Sequence, residues 1–314
     1  MPKSKPISKK ASTSTTKNPR VRKLTRRQKR ACDKKKAQNS SPLIGSFRLT
    51  GQTVMILRRN WKILGGIVLV YLVLNIIFAS GISNLNSTVN DIKNNLNGDT
   101  SSSTFGSALS GFSGLVASSG TSSSPSGSIL QSMLIVLESL VIIFTLRLLL
   151  AGRLVSVKQA YYNSTAQLVP FLLVMGVIIL QLIPLAIGSS LAAVVFTSSS
   201  GAPIFIFSLI FAVLAGWSFY LLASSVFALY IVTLPNMQPL RALRSAKNLV
   251  RFRRWSIMRR LLFLPILVLA IMCAVVVPLI MVATVLVAPV FYALSMLSIL
   301  FVHTYLYSLY RGLL

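Results

Sequence analysis

Residues that could perform chemistry are scarce and widely separated in this sequence. The four acids are Asp33, Asp91, Asp99 and Glu138, and the only histidine is His303. Acid–base catalysis by carboxylates needs two acids close together, and a metal site needs clustered His, Cys, Asp or Glu. These residues cannot form either arrangement, so we expect no catalytic residue, no metal site and no cofactor. The protein is accordingly predicted not to be an enzyme.

The polar residues that interrupt apolar stretches are the remaining candidates for a functional site. They are Glu138, His303 and Gln181, and Asn75 is expected to donate a hydrogen bond to another helix. An ionisable group at membrane depth is expensive and marks a functional site by default. Glu138, near the midplane, would couple a proton or ion in a transporter or permease, with His303 or Gln181 as its partner. Alternatively, a neutral or hydrogen-bonded Glu138 holds helices together, and the presence of only one acid favours this structural role.

The overall composition is typical of a membrane protein. Hydrophobic residues make up 54% of the chain, mean hydropathy is +0.73 and charged residues make up 11%. Soluble domains contain about 25% charged residues. The two cysteines, Cys32 and Cys273, are expected on different sides of the hydrocarbon boundary, so no disulfide is predicted.

Six apolar stretches are long enough to cross a bilayer, which takes about 20 helical residues. We place the spans at 63–82, 129–150, 168–187, 204–234, 261–281 and 289–310. The turn between the last two spans is expected between Pro278 and Pro289. The predicted fold class is an all-α integral membrane protein with six transmembrane helices and amphipathic interfacial segments, in a membrane domain over 43–314.

Two polar segments flank the first span. Residues 1–42 are rich in Lys and Arg and predict a disordered cytoplasmic tail, while residues 84–128 predict a Ser/Gly-rich extracytoplasmic loop. Within that loop, 108–116 is apolar enough to rest on the membrane. The tail has no aromatic residue to stack on bases, so nucleic acid is a less favoured partner than lipid. A membrane tether whose tail binds RNA or ribosomes remains an alternative function.

Basic residues predict the orientation of the spans. Residues 1–62 hold nineteen of the 32 Lys and Arg, and six spans would place 31 of the 32 on the side of both termini. Only Lys93 would lie on the other side. The positive-inside rule therefore predicts a cell (inner) membrane protein with both termini in the cytoplasm, N-in/C-in.

The segment from Leu240 to Arg260 carries eight Lys and Arg and no acid. At 100° per residue, its first half separates an apolar face from a basic face. Trp255 follows just before the next span, where an amphipathic ring favours the interface. We therefore predict a cytoplasmic helix lying on the membrane surface and contacting anionic headgroups. The candidate contacts are Arg241, Arg244, Lys247, Arg251, Arg253 and Arg254.

A weak internal repeat links three parts of the chain. LRRNW at 57–61 and RFRRW at 251–255 each precede a span, and SVKQAYYNSTAQ at 156–167 occupies the corresponding place before the third span. The chain can therefore be divided into three units, each an interfacial segment followed by a helical hairpin. Alternatively, any cytoplasmic loop that leads into a span attracts basic and aromatic residues.

A family resemblance rests on several motifs. PLRALRSAKNLVRFRRW at 239–255, ahead of a final hairpin, is similar to the membrane domain of glycerophosphoryl diester phosphodiesterases and related six-helix bacterial families. The full layout resembles uncharacterised membrane proteins of reduced-genome candidate-phylum bacteria. That layout includes LTRRQKR at 24–30, NWK at 60–62 and AYYNSTAQLVPFLLV at 160–174. The resemblance implies no known activity, because the phosphodiesterase catalytic domain is a separate soluble barrel.

Taken together, these features predict a non-enzymatic envelope protein that contacts anionic lipid through basic interfacial helices. Small residues within the spans would allow close helix approach in a monomer, a homo-oligomer or a complex with an unknown membrane partner. These residues are Gly65, Gly66, Gly176 and Gly216.

Overall fold

The computed structural model describes most of the chain from residue 45 onward. The described residues are 45–79, 112, 115–116, 125–153, 155–198, 202–234, 237–251 and 253–313. The predicted tail at 1–42 and nearly all of the predicted loop at 84–128 lie outside them.

The described residues form nine α-helices and one short 3₁₀ turn, at Thr165–Gln167, and contain no strand. The helices are α1 Ser46–Arg59, α2 Trp61–Ala79, α3 Pro125–Leu150, α4 Val157–Ser164, α5 Leu168–Ser198, α6 Ala202–Val232, α7 Pro239–Val250, α8 Arg254–Val282 and α9 Thr284–Arg311.

Six of these helices, α2, α3, α5, α6, α8 and α9, are long and apolar enough to cross a membrane. This confirms the all-helical, six-span part of the predicted fold class. α8 and α9 are separated at Ala283, within the interval predicted for their turn. The long helices accommodate internal prolines, which membrane-spanning helices tolerate better than soluble ones.

Two apolar clusters hold the helices together. The first joins α1, α3, α5, α6, α7, α8 and α9, and the end of α6 from Ala223 to Val232 contributes the largest share. The second joins α2, α3, α4, α8 and α9 and includes Phe112 and Leu115. These two side chains are only 4% and 0% exposed. Within the apolar stretch 108–116, these two side chains therefore pack against protein.

The hairpin of α5 and α6 is covered mainly near its α7 end. Phe171 and Val174 of α5 are buried, whereas Ile187 and Leu191 further along are exposed. In α6, Phe205 is 75% exposed, while Phe227 is fully buried. An apolar surface of this kind is what a membrane-spanning hairpin presents to lipid.

Candidate functional site

α7 displays the two faces that the sequence predicts. Ala242, Ala246 and Val250 are fully buried, while Arg241, Arg244, Lys247, Asn248 and Arg251 are exposed. Pro239 occupies the first helical turn, where its missing N–H breaks no hydrogen bond. The helical periodicity of this segment is therefore confirmed, and it presents a continuous basic face.

The apolar face of α7 packs on protein rather than on lipid. Ala242, Ala246 and Val250 belong to the first apolar cluster, and α7 packs against α6 and α5. A helix that lies in the membrane surface must direct its apolar face into the bilayer. Of the large apolar side chains of α7, Leu240 is 69% exposed and open to a bilayer, and the other side chains available to a headgroup lie on the basic face.

The six predicted headgroup contacts fall into two groups. Arg241, Arg244, Lys247 and Arg251 are exposed, whereas Arg253 and Arg254 are half-buried. The Arg254 guanidinium donates a hydrogen bond to the Tyr220 hydroxyl and lies 4.8 Å from the centre of that ring. Arg254 thus tethers the start of α8 to α6, so it is a structural residue as well as a charge.

Arg147, near the end of α3, stabilises the end of α6. Its guanidinium donates a 2.5 Å hydrogen bond to the backbone carbonyl of Thr233. The last carbonyls of a helix have no partner within the helix and carry partial negative charge. Arg147 therefore provides a hydrogen-bond donor for the C-terminal end of α6, from which the chain continues to α7.

Glu138 is the centre of a buried polar cluster. Its side chain is 1% exposed, and the Tyr161 hydroxyl donates a 2.8 Å hydrogen bond to Oε2. Among the described residues, the other oxygen, Oε1, has no hydrogen-bond partner. The Tyr161 oxygen also lies 3.3 Å from the carbonyl of Ile67 in α2. Tyr161 thus joins α4, α3 and α2 through one hydroxyl group.

Ile67 also indicates how deep Glu138 lies. It is six residues after Trp61, the first residue of α2. Six residues correspond to about 9 Å along a helix. Half of a bilayer's hydrocarbon core is about 15 Å thick. Glu138 therefore lies level with the part of α2 between Ile67 and Tyr71.

Tyr161 remains a hydrogen-bond donor over a wide pH range. Burial, reinforced by the neighbouring Glu138 carboxylate, raises the pKa of Tyr161 well above its ordinary value. Its single proton can be directed either to Glu138 or to Ile67. A protonated Glu138 would donate to Tyr161, and Tyr161 would in turn donate to the Ile67 carbonyl. The cluster can therefore accommodate both protonation states of Glu138 by rotating one hydroxyl group.

Three further side chains extend the cluster towards α9. The Tyr292 hydroxyl donates a 2.5 Å hydrogen bond to Oδ1 of Asn75, so Asn75 bonds to another helix as an acceptor and not as the predicted donor. Tyr71 lies beside Asn75 and interacts electrostatically with Glu138. Among the described residues, the Asn75 amide nitrogen has no partner. The buried cluster thus has one unpaired acceptor on Glu138 and one unpaired donor on Asn75.

Gly66 allows α4 to approach closely enough for Tyr161 to reach Glu138. A Cβ atom at Gly66 would lie 3.1 Å from Cγ2 of Val157, the first residue of α4. The Ser156 side chain caps α4 by accepting a hydrogen bond from the Gln159 backbone. The small residue on α2 and the cap on α4 together position the tyrosine.

His303 and Gln181 bond to α6 and not to Glu138. Nδ1 of His303 lies 3.4 Å from the Tyr230 hydroxyl. The Ser225 hydroxyl donates to Oε1 of Gln181. The structure therefore does not pair either residue with Glu138, and it identifies Tyr161 as the observed partner. Tyr161 lies in the segment between two spans, so the polar residues within the spans do not indicate it as the partner of Glu138.

Within the described residues, no group of three His, Cys, Asp or Glu could hold a metal ion. No protein-family model, curated protein or solved structure matches this chain. The fold and the six apolar helices define the class, an all-helical multi-pass membrane protein.

Proposed function

We propose that this protein is a non-enzymatic component of the cell envelope that contacts anionic lipid headgroups through the basic face of α7. Arg241, Arg244 and Lys247 carry the proposal, because they are exposed on one face of a helix whose other face is fixed to the protein. A basic residue near an anionic bilayer surface contributes about 1 kcal/mol of attraction. A rigid row of three would therefore enrich anionic lipid around the protein.

The proposed location is the inner membrane, with both termini in the cytoplasm. The distribution of Lys and Arg supports this orientation, which places α7 on the same side as the termini. We also propose a distant relationship to the six-helix bacterial families named above, with three hairpin repeats. That relationship rests on the basic segments that precede α2 and α8 and on the segment that precedes α5.

The experiment compares lipid selectivity before and after neutralisation of α7. The variant carries Arg241→Gln, Arg244→Gln and Lys247→Gln, and it is reconstituted in vesicles with spin-labelled phosphatidylglycerol or phosphatidylcholine. The fraction of motionally restricted label gives the preference for each lipid. We expect wild-type protein to prefer phosphatidylglycerol and the triple variant to lose most of that preference.

The matched control changes three exposed basic residues away from α7: Arg153→Gln, Lys158→Gln and Arg311→Gln. It reduces net charge by the same amount, so we expect it to retain the larger part of the preference. Equal losses in both triple variants would mean that net charge alone attracts the lipid. An unchanged preference in the α7 variant would rule out the proposed contact.

The buried cluster supports a second candidate function, transport coupled to Glu138. Specifically, Oε1 of Glu138 and the amide nitrogen of Asn75 are buried without a partner among the described residues. Groups of this kind could bind a proton or a small polar solute in passing. The Tyr161 hydroxyl would then connect the carboxyl group with the segment between α3 and α5.

Infrared difference spectroscopy of the protein in lipid tests this candidate. The carboxyl band of Glu138 is assigned by its loss in Glu138→Gln. Transport predicts that the band responds to pH and to an added ion or solute. A band that is constant under all these conditions would instead show that Glu138 only holds α2, α3 and α4 together.

A further inference from the structure

An apolar groove opens on the side of the helical bundle at the junction of α1 and α2. It has a volume of about 230 Å³, and its lining includes Leu57, Trp61, Val268, Leu297, Ser298 and Phe301. The only hydroxyl group in the lining belongs to Ser298, which donates to the carbonyl of Ser295. Apart from the indole N–H of Trp61, the lining is therefore almost wholly apolar, and the groove suits a hydrocarbon chain.

The groove extends from the start of the α2 span to the central parts of the α8 and α9 spans. Its walls belong to the membrane-spanning parts of α8 and α9, and Trp61 begins the span of α2. Trp61 is 53% exposed, and its indole ring lies over Gly65 on the next turn. Tryptophan is enriched at the membrane–water interface. The end of the groove at Trp61 is therefore its headgroup end.

α1 has the surface of a helix that inserts into this interface. Phe47, Val54 and Met55 are 80%, 51% and 71% exposed, while Leu49 and Thr53 are buried against the protein. Large apolar side chains beside basic ones are typical of interfacial helices. α1 thus leaves three large apolar side chains uncovered for the bilayer, whereas α7 leaves one, Leu240 in its first turn.

Positive charge surrounds the headgroup end. Arg58 and Lys62 are exposed, and each follows directly after a groove residue, Leu57 or Trp61. Arg59 is exposed beside them, and no acidic residue lies in α1 or α2. Arg58, Arg59 and Lys62 form a cationic rim at this end of the apolar groove. The groove and its rim together complement a molecule with one hydrocarbon chain and an anionic head.

We propose that this groove binds one acyl chain of an anionic phospholipid, whose headgroup is held by Arg58, Arg59 and Lys62. The proposal rests on the proposed lipid-contacting function but assigns it a discrete site distinct from α7. Leu294 and Phe301 lie seven residues apart along the α9 wall, about 10 Å at the rise of an α-helix. The groove therefore takes a part of one chain and leaves the rest in the bilayer.

Trp61 can report directly on the occupant. The full chain is made with Trp217→Phe and Trp255→Phe, so that Trp61 is the only tryptophan. Its fluorescence is measured in vesicles containing increasing fractions of phosphatidylglycerol or phosphatidylcholine brominated on the acyl chain. We expect half-maximal quenching at a several-fold lower fraction of the brominated phosphatidylglycerol, because only the anionic lipid engages the rim.

Two sets of variants in this background separate the rim from the groove. Arg58→Gln, Arg59→Gln and Lys62→Gln together are expected to equalise quenching by the two lipids. Ser298→Phe fills the groove from α9, and Val268→Phe narrows it from α8. Each is expected to reduce quenching of Trp61 by brominated phosphatidylglycerol. The quenching that remains should equal that measured in a protein whose only tryptophan is Trp217. The two filling variants provide independent checks if one of them does not fold.

Equal quenching by the two lipids in the unaltered groove would overturn the proposal, as would unchanged quenching after both filling substitutions. Absence of quenching, together with a dimer in solution, would identify a second copy as the occupant instead. The triple α7 variant is measured in parallel and is expected to retain the Trp61 preference. A failed α7 contact and a failed groove site therefore give different results.

Discussion

Replacement of Tyr161 by phenylalanine removes the one hydrogen bond that the described residues give to Glu138. The phenyl ring keeps the packing between α4 and α2, but Oε2 of the buried carboxyl group loses its donor, so that neither oxygen then has a protein donor among the described residues. The neighbouring Tyr162 provides a matched control because its side chain is 82% exposed. Tyr162→Phe removes the same atom from the same helix without affecting the buried cluster.

The size of the effect depends on the protonation state of Glu138. A hydrogen bond between neutral groups contributes about 1 kcal/mol to stability, and one to a charged group contributes about 1.5–3 kcal/mol. Tyr161→Phe is therefore expected to lower the free energy of unfolding by about 1 kcal/mol if Glu138 is neutral, and by 1.5–3 kcal/mol if it is ionised. Tyr162→Phe is expected to have no measurable effect.

The assay is equilibrium unfolding in mixed micelles by increasing detergent denaturant, followed by tryptophan fluorescence. Tyr161→Phe is measured both in the wild-type protein and in Glu138→Gln, whose side chain is neutral but still accepts a hydrogen bond. An ionised Glu138 predicts a smaller loss in the Gln background, and a neutral one predicts equal losses. Equal stabilities of Tyr161→Phe and Tyr162→Phe would refute the role given to this hydrogen bond.

Three further predictions use the same assay. Gly66→Val is expected to lower the free energy of unfolding by about 1–3 kcal/mol, because the new side chain crowds α4. Gly176→Val is the control and is expected to lower it less, because no neighbouring atom lies within 4 Å of a Cβ at Gly176. Arg147→Met is expected to cost about 1.5–3 kcal/mol, because the Thr233 carbonyl loses a charged donor. The free energy of unfolding is expected to fall above about pH 10, because the unfolded chain then loses the Tyr161 proton that the folded protein retains. In Tyr161→Phe it is expected to fall less steeply with pH.

The sequence predicts the spans well because each depends only on the length and polarity of one segment. It also predicts the two faces of α7, since Ala242, Ala246 and Val250 follow the helical period. The partner of Glu138 could not be predicted in this way. Tyr161 reaches it only because Gly66 permits a close contact with α4, and that contact depends on which helices are neighbours.

The same limit applies to the apolar face of α7. Helical periodicity shows that a face is apolar, but it does not show whether lipid or protein covers that face. Side-chain size indicates which of the two covers a face. Ala242 and Ala246 leave room for another helix, whereas Phe47 and Met55 of α1 do not. Small residues favour close helix packing, and large apolar residues favour insertion into the interface.

This difference between α1 and α7 predicts different responses to salt. Contacts of the α7 face are electrostatic and exposed, and the Debye length shrinks from about 10 Å at 0.1 M salt to about 3 Å at 1 M. The spin-label preference attributed to α7 is therefore expected to decline strongly over that range. An acyl chain in the groove at Trp61 is held by apolar contact, which salt does not screen. Quenching of Trp61 at saturating brominated lipid is therefore expected to persist in high salt. A parallel loss of this quenching and of the spin-label preference would show that the two surfaces act through charge alone.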